Sequence, residues 1–335
     1  MKIHPCFESC VGQETAKVRL SQSIYSAING GEMNSPLLTA EAGVGKSKVA
    51  RAAIEGYKEA GFDTLTFNSP GEFREKGEAF SSFISLLMDS PKFAIFIDEA
   101  HEINGSQGQA ATVQLAKVRS FLMKALDKGN EGREIRLDSE LVVNFSRKKG
   151  SIILATNFPH TLDKSGAFQS RCDHIALDLY SEEELIQILQ GMLVKEGFQT
   201  ANENTLAMIA RCGRGTARPL EKIVGQLKIQ LSAEGKKKHT INREDVISAL
   251  KLSKMFPRGI KSWEIDVIKL CHGRALRDGH ITSLLPHVEP EALRKSKGYL
   301  IEGCKLMQAT TQGIMTTTLG TRYVDTLKTE GFLAA

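Results

Sequence analysis

Two short stretches of this chain pair residue types at spacings that could do chemistry. The first is 37–50, LLTAEAGVGKSKVA, where an apolar run meets a turn containing Gly43 and Gly45, and Lys46 and Ser47 then open a helical pattern. In such a turn the backbone N–H groups of Gly43, Val44 and Gly45, and those of Lys46, Ser47 and Lys48 at the helix start, face phosphate oxygens. The lysine ammonium reaches the β/γ oxygens and the hydroxyl ligates Mg²⁺, so ATP and Mg²⁺ are the expected ligands. One position departs from the G-x-x-x-x-G-K-[ST] pattern, because Ala40 stands where the first glycine is usual. A methyl group fits there if the backbone keeps φ < 0.

The second stretch is 93–99, FAIFIDE, five apolar residues ending in two carboxylates. That pattern suits a strand buried on both faces whose C-terminal end delivers Asp98 and Glu99 to the phosphate site. Asp98 is expected to share the Mg²⁺ with Ser47, and Glu99 to orient and polarise an attacking water. Read alone, FAIFIDE is a core strand meeting a solvated turn; paired with the loop upstream, it completes a nucleotide site.

These residues need a sheet to hold them. Periodicity predicts that 7–28 turns from a short connector into a helix with apolar positions at Val18, Leu20, Ile24 and Ala27, then a first strand before the loop, a helix over 46–60, a strand over 62–68 and a helix over 71–88. Beyond Glu99 a polar segment at 104–109 leads into a helix ending near 128, a hairpin across 133–150, a buried strand over 151–155 and a last strand over 174–177. Strands alternating with helices argue for an α/β domain with a parallel sheet, here 1–179. From Ser181, which opens a capping box with Glu184, the pattern is all-helical; a Gly-Lys run at 235–238 interrupts it, and this region is assigned to 180–256. Pro257, Arg258 and Gly259 are expected to link it to 257–335, which reads helix, helix, helix and a hairpin turning at Gly313, the layout of a winged helix.

The 335 residues, 41% hydrophobic and 25% charged, describe an ordinary globular protein large enough for two or three cores. A net charge of +5 permits a nucleic-acid partner without demanding one. The six cysteines are scattered without metal-ligand spacing and read as reduced thiols. No apolar run reaches a membrane span and the first residues do not form a signal peptide, so a cytoplasmic protein without membrane contact is expected.

With those residues in hand, the chain resembles an AAA+ ATPase. SIILATN resembles a sensor-1 strand, which implies that Asn157 sits between the acidic pair and the γ-phosphate. AFQSRC resembles the arginine-finger segment, making Arg171 a catalytic cation inserted into a neighbouring subunit's site. GRGTARPLEKI resembles sensor 2 and implies that Arg218 faces the γ-phosphate from the helical lid. The domain order and the phrases FESCVGQE, GRGTARP and YLIEGCKLMQATTQGIMTTTLGTRYVDTL are similar to the RuvB family of Holliday-junction branch-migration ATPases, along nearly the whole chain. That resemblance implies a hexameric ring that threads duplex or four-way-junction DNA in recombination and repair.

Several features differ from the family pattern. The loop carries Ala40 and Ser47 where the family usually has Gly and Thr, and the hairpin at 133–149 is charged where the family's partner-binding hairpin is more apolar, so a RuvA-type partner is not carried over. The wing segment QATTQGI has no arginine, and Arg294, Lys295 and Lys297 on the preceding helix are the expected compensating DNA contacts, with a solvated helix face as the bland alternative. A clamp-loader-like or helicase-loader-like ATPase that remodels a protein partner is the competing reading, supported by the SRC phrase and the arginine-poor wing. Residues 98–101 also spell DEAH, the acidic motif of a different helicase superfamily whose later motifs are absent, and His101 is read as a polar residue just past the strand.

Overall fold

A computed structural model describes residues 2–73, 77–104, 113–127, 134–137, 141–162, 167–199, 202–233 and 240–334. They fall into two compact units, Met1–Tyr180 and Ser181–Ala335. Most of the polar stretch 104–109, residues 133 and 138–140 of the hairpin, the helix end at 128 and the lysine run 235–238 lie outside the described residues.

In the first unit, helix α1 (Glu14–Ile28) precedes strand β1 (Pro36–Thr39), followed by α2 (Lys46–Glu59), β2 (Asp63–Phe67), α3 (Glu78–Asp89) and β3 (Phe93–Ile97). Then come α4 (Val113–Ala125), β4 (Glu134–Arg136), β5 (Val142–Asn144), β6 (Gly150–Thr156), α5 (Pro159–Leu162), α6 (Ala167–Arg171) and β7 (Asp173–Ala176). Five strands form one sheet in the order β2-β3-β6-β1-β7. All its pairings are parallel. Every residue of β3 and β6 is buried, as continuous apolar strands covered on both faces must be.

Side chains on each strand alternate between two cores. Phe93, Ile95, Ile97, Ile152 and Leu154 join Phe83 of α3 and Phe121 of α4 on one face. Ala94, Phe96, Ile153 and Ala155 join Leu20 and Ile24 of α1 and Val49 and Ala53 of α2 on the other. The predicted hairpin is present as the antiparallel pair β4–β5. One helix start differs from the sequence reading. The helix begins at Glu78 rather than near Gly71, because 70–73 close a 3₁₀ turn in which the Glu72 carboxylate accepts the Asn68 N–H at 2.6 Å.

The second unit opens with α7 (Glu182–Lys195), α8 (Glu203–Cys212), α9 (Arg218–Ala233) and α10 (Arg243–Leu252). The expected capping box of Ser181 and Glu184 starts α7. There follow α11 (Ser262–Leu270), α12 (Asp278–Leu284) and α13 (Pro290–Gly298), a π-helical turn Tyr299–Gly303, the antiparallel strands β8 (Met307–Thr310) and β9 (Gly313–Thr316), and α14 (Thr318–Thr329). Three helices and a hairpin follow the order expected from the sequence, and the closing helix α14 (Thr318–Thr329) is an element that reading did not include. Gly313 is required where β9 starts: its φ is +140°, and a Cβ there would fall 2.1 Å from the carbonyl oxygen of Leu276, which pairs with Ile314 beside the hairpin.

The expected linker Pro257–Gly259 is a fastened turn instead. Tyr299 Oη donates to the Arg258 carbonyl at 2.7 Å, Tyr323 Oη to the Pro257 carbonyl at 2.6 Å, and Arg258 Nη1 to the Cys304 carbonyl at 3.1 Å. A second tie joins α8 to α11. Arg214, just past α8, donates to both carboxylate oxygens of the fully buried Glu264 at 2.9 and 3.0 Å and lies 3.8 Å over the Tyr299 ring. Ser296 and the Lys261 N–H donate to the same carboxylate. The helical region and the hairpin region of this unit therefore share a buried polar joint.

Candidate active site

Three neighbouring strands, β3, β6 and β1, end at the same edge of the sheet. Their C-terminal ends carry Asp98 and Glu99, Thr156 and Asn157, and the loop 40–45 respectively. The crevice outside the carboxyl ends of parallel strands is where such sheets bind ligands. Adjacency in the sheet, not in the sequence, thus unites the acidic pair, the polar strand end and the phosphate loop.

The loop has the backbone its chemistry requires. Gly43 and Gly45 take φ of +87° and +93°, and Gly45 caps α2. A Cβ on Gly45 would lie 2.2 Å from Tyr180 Oη, so that position has no room for a side chain. Ala40 is not among the positive-φ residues, and its methyl group carries no backbone strain. Val44 and Lys46 are buried, while Lys48 is exposed on the first turn of α2.

Lys46 Nζ donates to the carbonyl oxygens of Ala40 and Glu41, each at 2.9 Å, and to Asn157 Oδ1. Ser47 Oγ donates to Asp98 Oδ2 at 2.5 Å. Asn157 Nδ2 donates in turn to Glu99 Oε1 at 3.3 Å. Lys46, Asn157 and Glu99 are therefore linked in series, with Asn157 in the middle. Glu99 stands in a left-handed backbone conformation, φ +46°, immediately after the strand. A non-glycine residue held there is the kind of local strain that accumulates at functional sites.

The donor set fits Mg²⁺. That ion takes hard oxygens in an octahedron, holding on to several waters and using one or two carboxylates plus phosphate oxygens. Ser47 Oγ and Asp98 Oδ2 supply a hydroxyl and a carboxylate side by side. Among the described residues no cluster of three or more His, Cys, Asp or Glu forms an all-protein metal cage, which matches that division of ligands.

The remaining expected site residues lie elsewhere. Arg171 ends α6, with Nη2 3.8 Å from Asp127 Oδ2. Arg218 opens α9 in the second unit and is exposed. On α13, Arg294 and Lys295 are exposed; Lys295 pairs with Glu291 at 2.8 Å, and Lys297 is drawn to Asp278 at 2.9 Å. The six cysteines are free thiols. Burial pushes Cys6 and Cys172 up to about 12 and Cys212 and Cys271 up to about 11, which keeps them protonated and unsuited to nucleophilic work.

Two residues gain a place that their types and spacing did not reveal. Gln13 Nε2 donates to the Asp178 carbonyl at 2.7 Å and to the Val44 carbonyl at 3.4 Å, fastening the phosphate loop to the chain beyond β7. Its signal was the FESCVGQE phrase, which carries no chemistry by itself. His101 lies against both Glu99 and Thr156, with Nδ1 3.4 Å from Glu99 Oε2 and 3.1 Å from Thr156 Oγ1.

A parallel sheet with a phosphate loop after β1, an acidic end on β3 and a polar end on β6 defines a P-loop nucleotide-binding fold. Residues 36–177 match the ATPase family associated with various cellular activities (AAA), so the first unit carries an AAA domain. Over nearly the whole chain the fold is that of RuvB. The Thermotoga maritima RuvB Holliday junction branch migration motor aligns at a TM-score of 0.61 and 19% identity, covering 94% of this chain and 95% of that one. Two mutants of the same protein align at 0.63 and 18% identity, covering 97% and 99%, and at 0.62 and 17%, covering 96% and 98%. No curated protein matches the chain by sequence. Among the described residues no helix is long and apolar enough to cross a membrane.

Proposed function

We propose that this protein is an ATP-driven DNA motor of the RuvB kind, hydrolysing ATP in a ring to translocate duplex DNA or to branch-migrate four-way junctions. The observation that carries this reading is the Lys46–Asn157–Glu99 series beside the Ser47–Asp98 pair, set in a chain that shares the RuvB fold over 94% of its length.

Lys46 and the loop N–H groups bind the phosphates, and Gly43 and Gly45 let the backbone approach them. Ser47 and Asp98 would hold Mg²⁺, which when bound would supply charge neutralisation at the phosphate oxygens. Glu99 orients water for in-line attack and accepts its proton, and Asn157 fixes the carboxylate relative to Lys46. Arg171, supplied from one subunit to the next, and Arg218, supplied from the helical lid, stabilise the charge that develops at the transferred phosphoryl group. DNA is held by the hairpin region through Arg294, Lys295 and Lys297.

One observation favours a second reading. The cations of α13 are partly spent on local acids, Lys295 on Glu291 and Lys297 on Asp278, and the strands β8 and β9 carry no arginine. A loader that uses ATP as an assembly switch and remodels a protein partner needs fewer phosphate contacts than a translocase does.

Steady-state ATP hydrolysis with and without duplex, forked and junction DNA across a salt series, alongside the mass of the assembly, separates the two. Stimulation by duplex or junction DNA with a hexameric mass is the expected result, and Arg171→Ala abolishes turnover with nucleotide affinity retained. Turnover indifferent to DNA, with a pentameric or monomeric mass, overturns the motor in favour of the loader.

A further inference from the structure

The Glu99 carboxylate is approached from two sides, by Asn157 at the end of β6 and by His101 just past β3. Asn157 donates to Oε1 at 3.3 Å, and His101 Nδ1 stands 3.4 Å from Oε2. The backbone beneath is fixed as well, since the Glu99 N–H donates to Asp98 Oδ1 at 2.9 Å and the Glu99 carbonyl accepts from the Glu102 N–H at 2.9 Å. The turn sets where the side chain leaves the main chain, and the two lateral contacts set the plane of the carboxylate.

His101 is itself held firmly. Its ring meets Phe158 edge to face, with centroids 5.0 Å apart, and its Nδ1 lies 3.1 Å from Oγ1 of the buried Thr156, which accepts the Phe158 N–H at 2.9 Å. A carboxylate only accepts hydrogen bonds, so a hydrogen on Nδ1 would lie between Glu99 Oε2 and Thr156 Oγ1, the two oxygens that Nδ1 faces. The histidine thus bridges Glu99 to Thr156, the residue next to Asn157 at the end of β6.

We propose that His101 is a positioning residue that aims the Glu99 carboxylate through Oε2, independently of the contact Asn157 makes at Oε1; this rests on the reading of Glu99 as the group that activates water. Asn157 is shared with Lys46 and so couples Glu99 to the phosphate side. His101 reaches Oε2 from Thr156 and Phe158, without passing through Lys46. A contact of this kind acts on the geometry of attack, so its loss appears in kcat and leaves nucleotide binding in place.

The test compares His101→Phe, which keeps the ring against Phe158 but has no Nδ1–H, with His101→Asn, whose amide places a donor where Nδ1 was. Both are made in the wild-type chain and in Glu99→Gln, with kcat, the KM for ATP, nucleotide affinity and thermal midpoint measured. His101→Phe is expected to lose about 10- to 100-fold in kcat, with KM and nucleotide affinity within about twofold. His101→Asn should recover most of that loss, and His101→Phe should cost nothing further on top of Glu99→Gln. Wild-type kcat in His101→Phe with Glu99→Gln inactive overturns the positioning role alone. So does an equal loss in both His101 variants, or a loss that multiplies with that of Glu99→Gln. Full activity in Glu99→Gln removes the hydrolysis reading itself, and this inference with it.

Discussion

The strand ends of the first unit and the α13 helix of the second both carry charged side chains, and the two regions treat them differently. At the strand ends, Lys46, Ser47, Asp98, Glu99, Asn157 and His101 are bonded to one another across segments far apart in sequence. On α13, Lys295 pairs with Glu291 one turn away on its own helix, and Lys297 pairs with Asp278 at the start of α12. The first arrangement cross-links the residues of one reaction. The second neutralises charge where it stands. A cluster of cations in a sequence therefore says less about a binding surface than a lysine whose partners come from the ends of two strands.

The largest expected effect breaks the linked side of this contrast. Lys46→Ala removes the cation that gathers the loop carbonyls and Asn157, and nucleotide affinity is expected to fall by more than about 100-fold, each tenfold being 1.4 kcal/mol. Titration with a fluorescent ATP analogue measures it, and affinity within threefold of wild type would refute the phosphate role. Next comes the buried joint of the second unit, where a charged pair is cross-linked without belonging to the nucleotide site. Glu264→Ala leaves the Arg214 guanidinium facing an emptied acceptor and should destabilise that unit by about 3–5 kcal/mol in urea unfolding. A loss below about 1 kcal/mol would place the Arg214–Glu264 pair with ordinary surface ion pairs. The smallest effect sharpens the α13 side: Arg294→Ala is expected to lower the log–log salt slope of DNA binding by about one unit, and Lys297→Ala, whose cation is shared with Asp278, to lower it by less. Equal slopes for both variants and the wild type would take α13 out of the DNA contact.

Much of the first unit is legible along the chain because its signals are local. The glycine turn before Lys46, the apolar run before Asp98 and the buried run before Asn157 each occupy one strand or turn, and each lands where its pattern says. The order of three helices and a hairpin after Gly259 is legible for the same reason, down to Gly313 at the start of β9. Other features escape a linear reading. Nothing in Pro257, Arg258 and Gly259 announces that Tyr299 and Tyr323, 41 and 66 residues from the carbonyls they reach, will donate to that turn. The DEAH tetrapeptide likewise gives no sign of what His101 will touch, since that depends on the left-handed turn at Glu99 and on β6 lying beside β3.

The sequence by itself determined which residues could bind phosphate and activate water, because side-chain chemistry and backbone freedom at glycine are properties of residue type and near-neighbour spacing. It also determined the alternation of buried strands and helices, because periods of 2 and 3.6 are written in the order of apolar residues. Tertiary structure alone decided that β3, β6 and β1 lie side by side, so that the acids, Asn157 and Lys46 meet at one edge and His101 reaches the free side of Glu99. Strand order depends on how two hydrophobic cores are shared across both faces of the sheet, a property of all the strands and helices together that no single segment carries.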